Sequence, residues 1–242
     1  MQRSRTVAVP ILMYHVIAPP VADASFPGLY VPAREFAAQM RALARAGYHA
    51  VTLDQVRRAW QGKGGLPSRP IVLSFDNGYR TQYTNALPIL RRLQWQGVEN
   101  LQLSGLPPSQ GGLTTRQVRA LVKAGWELDT QGWSHADLNT LDPAQVHFQI
   151  THARTTLRRR YHVPVNWFCY PSGHYNPAVI AAVKAARFHG ATTVIPGWAH
   201  PTDDPYRLPR LEVLGHTSPH ALLQQIASHR ADHQAPTSYP NS

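Results

Sequence analysis

Short apolar runs recur along the chain at 7–13, 49–53, 71–75, 98–103, 126–129, 166–170 and 191–195, and the stretches between them carry apolar residues at helical spacing. Runs of this length alternating with amphipathic helices predict a parallel sheet, because parallel strands need a long crossover. The helix starts are marked by side chains that can take a free N–H. Thr52 has Gln55 three residues on, and Thr114 has Gln117, both at capping-box spacing. Asp142-Pro143 and Asn176-Pro177 each put a capping side chain before a proline in the first turn, while Gly47 and Gly125 stand where helices should stop. Seven such units without a GxGxxG turn favour closure over an open dinucleotide-binding sheet. The expected fold is α/β, a single distorted (β/α) barrel of about seven parallel strands. No Gly- or Ser-rich linker divides the chain, so one domain is expected over 7–229. The polar residues 230–242 read as a disordered tail. Residues 18–31, with Pro19, Pro20, Pro27 and Gly28, form a long loop, of the kind that covers a site or simply connects two elements.

Composition narrows the partners. A hydrophobic fraction of 43% over 242 residues supplies a sizeable core. The formal net charge of +11 suits an anionic envelope component or a basic proteome. Its arginines are scattered except for Arg158-Arg159-Arg160, and no nucleic-acid-binding signature accompanies them, so nucleic acid is not an expected partner. The single cysteine, Cys169, excludes an internal disulfide and sits in an apolar run as a buried hydrophobe would. No run approaches the ~20 apolar residues of a membrane-spanning helix. The stretch from Met1 to Val16 is broken by Pro10 and lacks a small-residue cleavage pattern, so it reads as a first strand rather than a signal peptide. A soluble protein is expected, with cytoplasm and cell envelope both open and the oligomeric state undetermined.

In barrels of this kind chemistry gathers at the C-terminal ends of the strands. Three strand ends carry suggestive residues: Ser74-Phe75-Asp76-Asn77-Gly78, Gln131-Gly132-Trp133-Ser134-His135 followed by Asp137-Leu138, and Phe168-Cys169-Tyr170-Pro171-Ser172-Gly173. Taken singly each is bland. An Asp before Asn-Gly is commonly a turn residue, a lone His is commonly structural, and Pro-Ser-Gly is an ordinary turn. Their order and common setting carry the weight.

Together they resemble the polysaccharide deacetylase family, whose motifs are an apolar strand ending in Thr/Ser-Phe-Asp-Asp-Gly, a His-Ser/Thr-x-x-His segment, and an aromatic strand leading to Pro-x-Gly. The opening Ile11-Leu12-Met13-Tyr14-His15 and the later Ala191-Thr192-Thr193 are similar to family features too. The resemblance implies hydrolysis of a carbon–nitrogen bond other than a peptide, as in de-N-acetylation of an amino-sugar glycan. It places the water-activating base at Asp76, an oxyanion-stabilising N–H near Ser172 and the acid that protonates the leaving amine at His216, with His15 and His174 competing for that role. It puts the zinc-type metal positions at Asn77, Gln131 and His135, so that two of the usual three ligands are replaced by carboxamides. An arginine that orients the base in the family would fall at Cys169. Tyr79, Trp133, Tyr175 and Trp198 are candidates for stacking on sugar rings or for packing. The expected cofactor is therefore none, or a weakly bound divalent cation, and the expected partner a glycan or a small amide or ester. Three outcomes stay open: a metal-poor hydrolase of an easier bond, a cation recruited through Asp129 or His15, and a noncatalytic carbohydrate-binding relative.

Overall fold

In the computed structural model, which describes residues 5–104, 106 and 111–240, every apolar run contains a strand. These are β1 (Val9–Tyr14), β2 (His49–Ala50), β3 (Pro70–Asn77), β4 (Val98–Leu101), β5 (Glu127–Thr130), β6 (Trp167–Cys169) and β7 (Gly190–Thr192). Two short strands were not foreseen, β8 (Trp198–Ala199) and β9 (Leu211–Glu212). The helices are α1 (Ala33–Arg45), α2 (Leu53–Trp60), α3 (Leu87–Arg92), α4 (Thr115–Lys123), α5 (Pro143–His147), α6 (Ala153–Tyr161), α7 (Pro177–Ala185) and α8 (Pro219–Ser228).

The sheet runs β7-β6-β5-β4-β3-β1, with β2 added to β3. All of these pairs are parallel. On β1, β9 pairs parallel and β8 antiparallel. The side between β7 and β1 is spanned by one short segment, in which Leu208 bridges Thr192 and Leu211 pairs with Leu12. The result is the curled, distorted barrel expected.

Local chemistry accounts for the helix starts. The Thr52 and Thr114 side chains each accept from the N–H three residues on, and Gln55 and Gln117 return the bond. Asp142 does the same with Gln145. Gly47 and Gly125 follow α1 and α4 at φ 81° and 87°, a region where a side chain is strained.

The barrel interior is apolar at the end where the strands begin. Val9, Ile11, Val72, Val98 and Trp167 pack there against Leu53, Val56 and Ala59 of α2. Glu127, the first residue of β5, accepts from the N–H groups of Leu53 and Asp54 and so pins the start of α2 under the sheet. With that end filled, polar groups are left to the opposite mouth.

Residues 230–240, expected from their polarity to be a disordered tail, instead return along the domain. The Trp198 N–H donates to the Asp232 carbonyl, Arg207 to that of Ala235, and the Tyr175 hydroxyl to that of Pro236, while Tyr175 and Tyr239 form a bridge. Most of these bonds are to main-chain carbonyls, which polar composition does not reveal. The last two residues of that tail, and the first four of the N-terminal segment, lie outside the described residues. Among the described residues no helix is long and apolar enough to cross a membrane.

Candidate active site

The β3–β4–β5 register sets Asp76 beside Asn100 and Asn100 beside Asp129. Alternation along β3 turns Phe75 outward into an aromatic cluster with Tyr14, Phe36 and Trp126, leaving Ser74 and Asp76 directed inward. Asp76 is 1% exposed. Its Oδ1 accepts from Arg210 Nη1 at 2.8 Å and from Asn100 Nδ2 at 2.8 Å. Its Oδ2 accepts from Arg210 Nη2 at 2.9 Å, with the Cys169 thiol at 3.5 Å. Burial by itself would raise the pKa of this carboxyl. The Arg210 charge and its two hydrogen bonds outweigh burial and hold the pKa at about 2.

An arginine that holds Asp76 therefore does exist. It comes from the segment before β9 rather than from the end of β6, where Cys169 stands in its stead. Arg210 is fully buried, and it also donates to the Thr193 carbonyl, to Ser74 and to Cys169. Burial works against its charge, but Asp76 and Cys169 more than offset that. Burial also pushes the Cys169 thiol up, so it stays protonated, as expected of a buried hydrophobe.

A cavity of about 820 Å³ opens over this pair, lined by His15, Asp76, Asn77, Tyr79, Gln131, His135 and Ser172 among others. Ser25 to Leu29 of the long loop form part of its wall, so that loop does cover the site. His15 follows directly on β1. Burial lowers its pKa to about 4, with Arg210 and His135 adding to the effect against the opposing pull of Asp76, and its Nδ1 is buried without a partner among the described residues. His135 is likewise lowered, by burial first. Ser172 sits at φ 52° in the turn Pro171–Gly173, which brings its backbone to the cavity wall. Tyr79 packs with Val16 and Tyr30, and burial, with Tyr30 and Asp76, raises its phenol to about 12.

Several expectations need correction. His216 is exposed and does not line the cavity; Leu214 does, and among the histidines His15 and His135 reach it. His174 is paired with Asp137 at 2.8 Å. Trp133 packs on Phe148 and His152. Tyr175 is fully buried, stacked on Tyr170. Trp198 pairs with Pro10 near the start of β1, at the far end of the barrel, and donates to the Ile226 carbonyl. Of the four stacking candidates only Tyr79 faces the cavity. The Gln131–His135 stretch is an irregular turn. Gln149 holds it by accepting from the Trp133 and Ser134 N–H groups. Sequence reasoning missed Arg210 and Asn100. Asn100 lies within the run at 98–103 among other polar residues, and Arg210 stands between Pro209 and Leu211 outside every run, so neither carried a distinct signal.

The family in general depends on a divalent metal, and the residues present do not fit one. Gln131 Oε1 already accepts the Asn77 N–H at 3.1 Å, and Asn77 supplies only a neutral carboxamide oxygen. At the three metal positions that leaves one imidazole, His135, with His15 the second on the cavity wall, where zinc wants several nitrogen, sulfur or carboxylate ligands. Asp129 does not line this cavity, and its Oδ1 accepts from the N–H groups of Asn166 and Trp167 at the start of β6. Among the described residues no group of three or more His, Cys, Asp or Glu could hold an ion.

Comparison with known proteins agrees with this architecture. The Bacillus subtilis (strain 168) protein YxkH is 25% identical over 205 residues, 85% of this chain and 71% of that one. The poly-beta-1,6-N-acetyl-D-glucosamine N-deacetylase of Escherichia coli (strain K12) is 36% identical over 88 residues, which are 36% of this chain and 13% of the enzyme. The Streptococcus pyogenes deacetylase PplD, solved in complex with acetate, superposes with a TM-score of 0.83 at 24% identity, covering 91% of this chain and 99% of PplD. Residues 63–191, just over half the chain and including the Asp76, Gln131–His135 and Ser172 segments, match the family described as polysaccharide deacetylase. The chain belongs to the polysaccharide deacetylase family.

Proposed function

We propose that this protein hydrolyses the acetamide of an N-acetylated amino-sugar glycan, or a related ester, with Asp76 as base and His15 as the proton donor to the leaving group. The observation that carries the reading is the convergence of Asp76, His15, His135 and the Ser172 turn on one cavity at the strand ends of a deacetylase-family barrel. Water adds to the carbonyl carbon as Asp76 takes its proton, and the backbone N–H at Ser172 faces the oxyanion. The carbon–nitrogen bond then breaks as His15 delivers a proton to the nitrogen, giving acetate and a free amine. His15 is neutral at rest, so it acts by relaying the proton that Asp76 has taken.

A carboxylate held near pKa 2 is a weak base. Slow turnover is the expectation, and each 1.36 kcal/mol of lost transition-state stabilisation costs about tenfold in rate. A second reading, noncatalytic glycan binding on the same barrel, is favoured by the fact that both Asp76 oxygens already have donors. Acetate release from N-acetylated glucosamine oligomers and from an acetyl ester decides between them. Slow release abolished by Asp76→Asn supports hydrolysis, since an amide cannot take up the proton. Saturable binding of the oligomers with no acetate release, or release that survives Asp76→Asn, refutes the assignment of Asp76 as base.

A further inference from the structure

The two carboxamides at the metal positions are arranged in a definite way. Because Gln131 faces a backbone N–H, its oxygen must be the atom turned to Asn77, and its Nε2 is the atom left over. Gln131 is 3% exposed and lines the cavity, and among the described residues no protein acceptor is found for that Nε2. Asn77, at φ 76°, lines the same cavity, and its Oδ1 is buried with no donor among the described residues. Among the described residues the site thus presents unused amide donors, Gln131 Nε2 and Asn77 Nδ2, beside one unused amide acceptor, Asn77 Oδ1. A buried acceptor without a partner costs on the order of 1–3 kcal/mol, which a ligand donating to it recovers.

We propose that the Asn77–Gln131 pair is a metal-independent receptor for an acetamido group, Gln131 Nε2 donating to its carbonyl oxygen and Asn77 Oδ1 accepting from its N–H. The secondary amide of an N-acetylated sugar offers one acceptor and one donor, which the Gln131 donor and the Asn77 acceptor complement. Asp76, next to the pair, has its charge met by Arg210, and Glu212 also stands on the cavity wall, so preference for the acetyl group rests on the hydrogen-bond match. The pair should therefore favour the acetylated sugar over its deacetylated form. In place of a cation that polarises the carbonyl, the chain has a neutral donor that recognises it, in keeping with the slow turnover expected above. The inference rests on the acetylated-glycan reading above and deepens it.

The test is calorimetric binding of tetra-N-acetylchitotetraose and of the fully deacetylated tetramer to the full chain after dialysis against EDTA, repeated with added zinc. The acetylated tetramer should bind equally in both conditions and at least about tenfold more tightly than the deacetylated one. Gln131→Glu keeps the oxygen that accepts from Asn77 but removes both donors, and Gln131→Met removes the polar group without adding charge. Each should weaken the acetylated tetramer by about tenfold in EDTA, while thermal melts confirm that the variants are folded. A zinc requirement, undiminished affinity in either folded variant, or no binding of the acetylated tetramer overturns the inference. Acetate release indifferent to Gln131→Glu would sink it and leave the hydrolase reading standing. Gln131-dependent binding without acetate release would do the reverse.

Discussion

Replacing Arg210 by methionine removes the only cation bonded to Asp76 among the described residues while keeping most of the volume of the side chain. In the unaltered protein the carboxyl is lowered from 3.8 to about 2, which at 1.36 kcal/mol per unit is roughly 2–3 kcal/mol of folding stability. Because the folded pKa is depressed, this contribution is complete above about pH 4 and disappears as pH falls toward 2. In Arg210→Met the carboxylate stays buried without its partner, and breaking a buried pair from one side costs about 3–5 kcal/mol. For a chain of this size that lowers Tm by roughly 6–20 °C near neutral pH. The sign of the pH dependence also turns over. With burial now the dominant influence, the folded pKa rises above its unfolded value, so the variant gains stability as pH falls through that raised pKa. Urea melts from pH 3 to pH 8 on the native chain, Arg210→Met, Asp76→Asn and the double variant measure both effects and the coupling between the two residues. A loss below about 0.5 kcal/mol in Arg210→Met, or a pH profile parallel to the native one, would refute the claim that this pair is held by mutual charge neutralisation.

The remaining expectations concern the metal, a cap and the charge. Metal analysis should find little zinc at His135 in the native chain, whereas Asn77→Asp with Gln131→His should bind it stoichiometrically and each single change much less; tight zinc in the unaltered protein would show that other ligands complete a site. Thr52→Ala removes one half of the α2 capping box and should cost about 1 kcal/mol in urea melts, with no loss indicating that Glu127 alone secures that helix start. The cleft around Arg154, Arg158, Arg159 and His162 should attract anionic polymers weakly, with affinity falling as salt rises; sequence-specific DNA binding at physiological salt would reverse the ranking of partners.

The sequence alone determined the parts that local physics controls. The apolar runs located β1 to β7, and the Thr52, Thr114, Asp142 and Asn176 caps located helix starts, because hydrophobic periodicity and capping act over a few residues. Asp76, Asn77, Gln131, His135 and Ser172 could be placed at one mouth from their position at strand ends. The tertiary structure decided the rest. Arg210 lies 134 residues from Asp76, and only closure of the barrel through 208–212 brings its guanidinium to both carboxylate oxygens. His15, directly after β1, reaches the cavity while His216 is left in solvent, although both are histidines beside apolar runs. Trp198 and Tyr175 read as rim aromatics until β8 and the returning residues 230–240 bury them. The orientation of the Gln131 amide depends on a backbone N–H 54 positions earlier. Side-chain pairing across such separations depends on how the strands are brought together in space, which periodicity along the chain does not encode.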